Sequence, residues 1–276
     1  MTELGLFWFA LNIRYQQKST SEEVSMSGHS KWASIKHKKG AADAKRGAAF
    51  TKMIREITAA AKAGGGNPDG NARLRSAIER AKAINMPLNN VENAIKKGTG
   101  ELPGVTYEEV TFDAYGPGGV AMMITGLTDN KNRTTAEIRN ILSKKNGNLA
   151  GAGATSFMFA KKGFISIEKD KIGEDELMDV VLDAGAEDIK SEGNVHEITC
   201  DIGDLSAVKA AVDAKGIPTV SAEMMMIPEN TVKVTGNDVK ALLNLMEALE
   251  EQEDVQNVYA NFDISDEELE KASEEA

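Results

Sequence analysis

The sequence predicts an α+β protein: a basic three-helix bundle at the front, followed by two α/β domains of ferredoxin-like character, one inserted in the other. Three observations predict it. Apolar residues recur at helical spacing between Ile35 and Ile95, then give way after Gly100 to runs of β-branched and aromatic residues. Between Gly163 and Ile227 the pattern alternates strand, helix, strand, strand, helix, strand, the split βαβ order. Charge changes sign where the periodicity does: residues 26–100 carry fifteen Lys or Arg against five Asp or Glu, and residues 101–276 carry fifteen against thirty-five, in a chain of net charge −11.

Residues 1–25 read as a disordered upstream extension. Their apolar run, Gly5–Ile13, is too short to span a bilayer, and Glu3 with no basic residue ahead of it does not suit a signal peptide. The alternative is a short amphipathic anchor. The lone Cys200 cannot form an intramolecular disulfide, which suits a reducing, cytoplasmic setting.

Residues 26–100 form the basic helical domain. No Pro interrupts Ile35–Ala63, where Phe50, Met53, Ile54, Ile57 and Ala61 make one apolar stripe. Lys38, Lys45 and Lys52 are seven apart and line up on another face, with Arg55 farther round. Gly64–Gly70 stops the helix. A second follows at Asn71–Ala83, packing through Leu74, Ile78 and Ala81. Pro87 suits the first position of a third, with Leu88, Val91 and Ile95 as its stripe and Gly98 just past its end. Three short amphipathic helices bury their stripes most economically as a bundle.

The stretch Ser27–Lys52 gathers seven cations and one acid, and residues 26–40 hold no acid at all. Such a surface suits the phosphate backbone, whose condensed counterions are released on binding. The candidate nucleic-acid contacts here are Lys31, Lys36, His37, Lys38, Lys39, Lys45, Arg46, Lys52 and Arg55. Trp32 reads as a core anchor before a stacking platform. His29 and His37 have no Cys or acid at ligand spacing, so no metal and no cofactor is expected.

In the acidic body, Val105–Tyr115 and Gly119–Thr128 read as strands joined by Gly116–Gly119. Thr134 and Glu137 have capping-box spacing, which sets Asn132 and Arg133 just before a helix N-terminus. That position is either a phosphate contact or an ordinary cap beside a solvated Arg. Gly147–Ser156 lacks the spacing of a nucleotide loop and reads as a flexible crossing. The inserted domain is 152–228, with Met224–Met226 as strand core. Residues 229–264 return to complete the domain begun at 101–151, through strands Asn230–Thr235 and Val255–Ile264 around a helix Asn237–Gln252. Residues 265–276 are an acidic tail. His196 and Cys200 share a strand face, but no third group orients them, and the chain reads as non-enzymatic.

The segments MSGHSKWASIKHKKGAADAKRGAAFTKMIREI, AKAINMPLNNVENAIKKGTG, YGPGGVAMMI and LTDNKNRTTAEIRNILSKKNGNL resemble the YebC/PmpR family, from Met26 to about Ile264. The resemblance implies three domains, the third inserted into the second. It places the family's basic motif on Lys31, Lys36, His37, Lys38, Lys39, Lys45 and Arg46, and its NRT motif on Asn132, Arg133 and Thr134. It implies DNA-binding transcriptional regulation, or, as for mitochondrial translational activators and ribosome-associated relatives, binding to ribosomal RNA and help at difficult sequences such as proline runs. Expected partners are therefore DNA, ribosomal RNA or the ribosome, and no membrane. A protein scaffold that binds no nucleic acid is the remaining reading.

Overall fold

The structure is a computed structural model that describes residues 43–274. It begins with three helices, α1 (Asp43–Gly64), α2 (Ala72–Ala83) and α3 (Leu88–Thr99). Their shared core is small-residue rich: Ile57, Ala60, Ala61, Leu74, Ala77 and Ala94 are buried together. Small side chains let the helices approach closely, and the Thr58 hydroxyl donates to the Ala94 carbonyl across α1 and α3 at 3.2 Å. Asn71 makes the α1–α2 corner. Its side-chain oxygen accepts from the Leu74 N–H at 3.0 Å, capping α2, while its amide donates to the Ala60 and Gly65 carbonyls at 2.8 and 2.9 Å.

Two expectations for α3 are corrected. Leu88 is exposed, because the inward stripe runs through Val91 and Ala94. Gly98 lies inside the helix, and it is Gly100, at φ 84°, that ends it in the left-handed region. Gly98 answers a different need: a Cβ there would stand 2.5 Å from the Thr58 carbonyl oxygen.

The body holds two four-stranded antiparallel sheets. The first uses β1 (Glu108–Tyr115), β2 (Ala121–Thr128), β3 (Asn148–Leu149) and β9 (Val255–Ala260), in the order β3-β1-β2-β9. Helices α4 (Lys131–Lys144) and α7 (Asn237–Glu251) supply Ile138, Leu142, Leu242 and Leu245 to its core. Between β3 and β9 the chain builds the second sheet from β4 (Phe159–Glu168), β5 (Ala186–Glu192), β6 (Val195–Cys200) and β7 (Ser221–Pro228). Its order, β5-β6-β4-β7, is that of the split βαβ fold, and α5 (Glu174–Val181) and α6 (Leu205–Ala214) cover one face. A further cluster of Met123, Phe159, Phe164, Met225 and Tyr259 joins residues of both sheets. The protein is thus an α+β molecule, a helical front followed by antiparallel sheets.

Several body elements differ from their sequence reading. Val255–Ile264 is two strands. The chain breaks at Asn261, whose side chain accepts the Ala121 N–H at 2.8 Å, and β10 (Phe262–Asp263) then pairs in parallel with β8 (Val232–Lys233) apart from both large sheets. Residues 265–276 include a helix, α8 (Asp266–Glu274), with Leu269 and Ala272 against the first sheet's core. Met225 is buried but Met224 is exposed, as alternation along β7 requires.

The crossing Gly147–Ser156 is pinned rather than loose. Buried Asp113 accepts the N–H groups of Gly153, Thr155 and Ser156 at 2.9, 3.0 and 2.6 Å, and the Thr155 hydroxyl at 2.7 Å. Burial pulls this carboxyl upward, but the Thr155 hydroxyl and the three N–H groups outweigh it and hold it below the usual carboxylate range. Among the described residues, no helix is long and apolar enough to cross a membrane.

Candidate nucleic-acid interface and the Asp254 cluster

Of the candidate contacts, Lys31, Lys36, His37, Lys38 and Lys39 lie outside the described residues. The backbone of Lys45 and Arg46 stands in the first turn of α1. The others are described in full, and three of them meet at one place.

Lys52 Nζ donates to the Glu250 carbonyl at 2.5 Å, in the last turn of α7. A cation there satisfies a terminal carbonyl and the negative end of the helix dipole together. One turn on, Arg55 is nearly buried. Its Nη1 donates to Asp254 Oδ1 at 2.5 Å and its Nη2 to Glu253 at 3.2 Å, and its guanidinium stands 5.7 Å from the Tyr107 ring centre. Arg55 therefore leaves the outward cationic face that helical arithmetic assigned to it.

Arg133 reaches the same carboxylate from the body. Its Nη2 donates to Asp254 Oδ2 at 3.0 Å and to Asp129 at 2.7 Å. It does not precede the helix but lies in its first turn. The cap is Asn130, whose side chain accepts the Arg133 N–H at 3.1 Å. Thr134, expected as the cap, instead donates its hydroxyl to Asp254 Oδ2 at 2.6 Å, beside Thr128 at 2.8 Å. Asn132 is exposed on the same turn.

Asp254 is thus held by two guanidinium groups and a hydroxyl, and Gln252 folds back to accept its N–H at 2.7 Å. Burial alone would raise its carboxyl. The hydrogen bonds from Thr134 and Arg133, with the charge of Arg55, hold it below the usual range instead. Around the cluster a cavity of about 490 Å³ is lined by Arg55, Tyr107, Asp129, Arg133, Glu137 and Glu253 among others. Its carboxylates outnumber its two guanidinium groups, and of those two only Arg133 is substantially exposed.

The candidate contacts leave out a second set of cations. Lys62, Arg75, Lys82, Lys96 and Lys97 are exposed on the bundle and make no ion pair among the described residues. Arg73 and Arg80 differ, since both pair with Glu56 at 3.4 Å. The distinction depends on which acid lies across the bundle, so spacing within α2 could not supply it.

His196 and Cys200 are both buried. Ile172 offers a carbonyl 3.0 Å from His196 Nε2, which must therefore carry the proton, and Nδ1 accepts the Ser191 hydroxyl at 2.7 Å. Burial pushes the Cys200 thiol up and disfavours a thiolate. Among the described residues, no three His, Cys, Asp or Glu side chains converge as a metal site.

A family model described as the TACO1/YebC protein N-terminal domain matches residues 30–101, and one described as the TACO1/YebC second and third domain matches residues 107–262. The chain belongs to the TACO1/YebC family. The boundary between the two family matches coincides with the change from bundle to first sheet. A protein of Geobacter sulfurreducens named "Probable transcriptional regulatory protein" is 54% identical over 246 residues, covering 89% of this chain and 99% of that one. Another so named, from Desulfatibacillum aliphaticivorans, is 55% identical over 241 residues, covering 87% and 98%. The crystal structure of a conserved hypothetical protein from Aquifex aeolicus shares 45% identity at a TM-score of 0.75, over 84% of this chain and 96% of that chain.

Proposed function

We propose that this chain is a non-enzymatic regulator of gene expression that holds nucleic acid by its phosphate backbone through the cations of its helical domain. The carrying observation is the run Ser27–Lys52, with seven cations to one acid in a chain of net charge −11. Counterion release makes such a patch effective whatever the sign of the whole molecule, because interactions beyond about 8 Å are screened at physiological salt. The names of the Geobacter and Desulfatibacillum relatives support a transcriptional role, in which DNA would be the polyanion.

A second reading, binding to ribosomal RNA in translation, is favoured by one observation. Among the described residues, the exposed bundle cations are spread over α1, α2 and α3, not gathered with Asn or Gln on one long helix that could enter a major groove. Crosslinking in cells followed by sequencing of both DNA and RNA separates the two. Promoter enrichment supports the first reading and ribosomal RNA the second.

The backbone-binding claim is tested by reversing Lys36, Lys38 and Lys39 to Glu. Affinity should collapse, and the log–log salt slope should shrink by about 0.9 per lost contact on duplex DNA or about 0.7 on a single strand. Lys52 is left alone in this test, because its contact with α7 would confuse a binding loss with undocking of the bundle. Unchanged affinity would favour the scaffold reading.

A further inference from the structure

We propose that the joint between bundle and body is a latch. The acidic segment Glu250–Asp254 occupies cations that nucleic-acid phosphate otherwise takes, and binding exchanges one anion for the other and frees the bundle to move. The inference rests on the nucleic-acid reading above and adds its regulation.

Every cation of the candidate set whose side chain is described, namely Lys52, Arg55 and Arg133, ends on this one segment, Glu-Glu-Gln-Glu-Asp. They come from two distant elements, α1 and α4, so their convergence is not a consequence of helical spacing. The contacts are also of the right kind. Arg55 divides its two terminal nitrogens between the Asp254 and Glu253 carboxylates, and Arg133 reaches Asp254 through Nη2, charge-assisted contacts that phosphate oxygens can replace, while a lysine on a helix C-terminus answers a negative end.

The joint is polar enough to open. The bundle's buried core and that of the first sheet share no residue, so separating the two domains need not disrupt either. A further tie is the exposed pair Arg73–Glu109. Accessibility sets an order. The Arg133 side chain is 43% exposed and can meet phosphate with the latch shut, whereas that of Arg55 is 11% exposed and becomes available when the bundle lifts.

The test uses the full chain carrying spin labels at A83C and K144C, both exposed positions on bundle and body, with buried Cys200 left in place. The distance distribution is measured free and with a mixed-sequence DNA duplex or RNA hairpin, alongside affinities for the same probes. In the wild type the distribution should be narrow when free and broaden on binding. D254N should broaden it without any nucleic acid and tighten binding about tenfold. E253Q removes an exposed carboxylate paired with Arg55 and should tighten binding about two- to fivefold, the scale of an exposed ion pair. Because E253Q leaves the buried groups intact, it decides the matter if D254N fails to fold. Wild-type binding that broadens nothing and that both variants leave unchanged or weaken would overturn the latch alone. No binding by the wild type or either variant would overturn the nucleic-acid reading and the exchange with it.

Discussion

Arg55 and Arg133 close on the same carboxylate, Asp254, the one from the bundle and the other from the body. An arginine nearly out of water depends on such a partner, and removing it leaves an uncompensated charge. Replacing Asp254 with Ala should therefore destabilise the chain by about 3 kcal/mol, the lower end for a broken buried pair, because Glu253 remains beside Arg55 and Arg133 can turn to solvent. The urea midpoint measures it. Replacing Arg55 and Asp254 together by Gln and Asn should cost less than the two single changes added, with a coupling of about 1–3 kcal/mol.

Acid should act on this joint and on the crossing between the sheets. Asp113 and Asp254 are both held below the usual carboxylate range in the fold. A depressed folded value means that stability is fully present above the unfolded value of about 3.9 and is lost as pH falls through the folded values. Melting temperature should thus fall steeply with pH below about 4. D113N and D254N should each flatten that limb, since neither amide titrates. A limb of unchanged steepness in both variants would show that other groups govern acid unfolding.

Much of this arrangement was legible in the sequence because it is periodic. The α1 stripe through Ile57 and Ala61, the alternation along β6 and the split βαβ order all follow from neighbours within a few residues. What escaped depends on partners far along the chain. Arg55 looked like an outward cation because helical arithmetic assigns a face but not the carboxylate opposite it, which lies 199 residues away. Thr134 looked like a cap because its spacing to Glu137 fits one. Asn130 does that work, and both residues serve the Asp254 cluster instead, Thr134 directly and Glu137 by accepting from Gln252 at 2.8 Å.

The Asp113 anchor gives a graded prediction. Its Oδ1 accepts from the Thr155 N–H, the Thr155 hydroxyl and the Ser156 N–H, and its Oδ2 from the Gly153 N–H. D113A strips the crossing between the sheets of all four and leaves the buried Thr155 N–H unsatisfied, although the Thr155 hydroxyl keeps the Met122 carbonyl at 2.8 Å, at about 3 kcal/mol in all. D113N keeps an oxygen for the three contacts on one side but turns an NH₂ toward the Gly153 N–H, so about half that loss is expected. Proteolysis should report the same order, with cleavage near Gly151–Ala154 fastest in D113A, then D113N, then the wild type.

Gly98 provides a test of packing that is independent of charge. A Cβ at this position would lie 2.5 Å from the Thr58 carbonyl oxygen and 2.7 Å from the Ala61 Cβ. Neither neighbour is the end of a flexible side chain, so the clash can be relieved by parting α1 from α3. That would stretch the 3.2 Å bond from the Thr58 hydroxyl to the Ala94 carbonyl and open the alanine-lined seam. Ala is the better helix former by about 0.5–1 kcal/mol, but overpacking of this kind costs about 1–3 kcal/mol, so G98A should be destabilising on balance. Gly100 is the internal comparison. A Cβ there meets nothing, and G100A should lose about 1 kcal/mol through its left-handed backbone alone. The two differ in signature. G98A should loosen the α1–α3 contact and speed amide exchange along both helices, whereas G100A should affect the end of α3. Equal protection of α1 in the two variants would mean that the helices do not approach as closely as the Gly98 geometry requires.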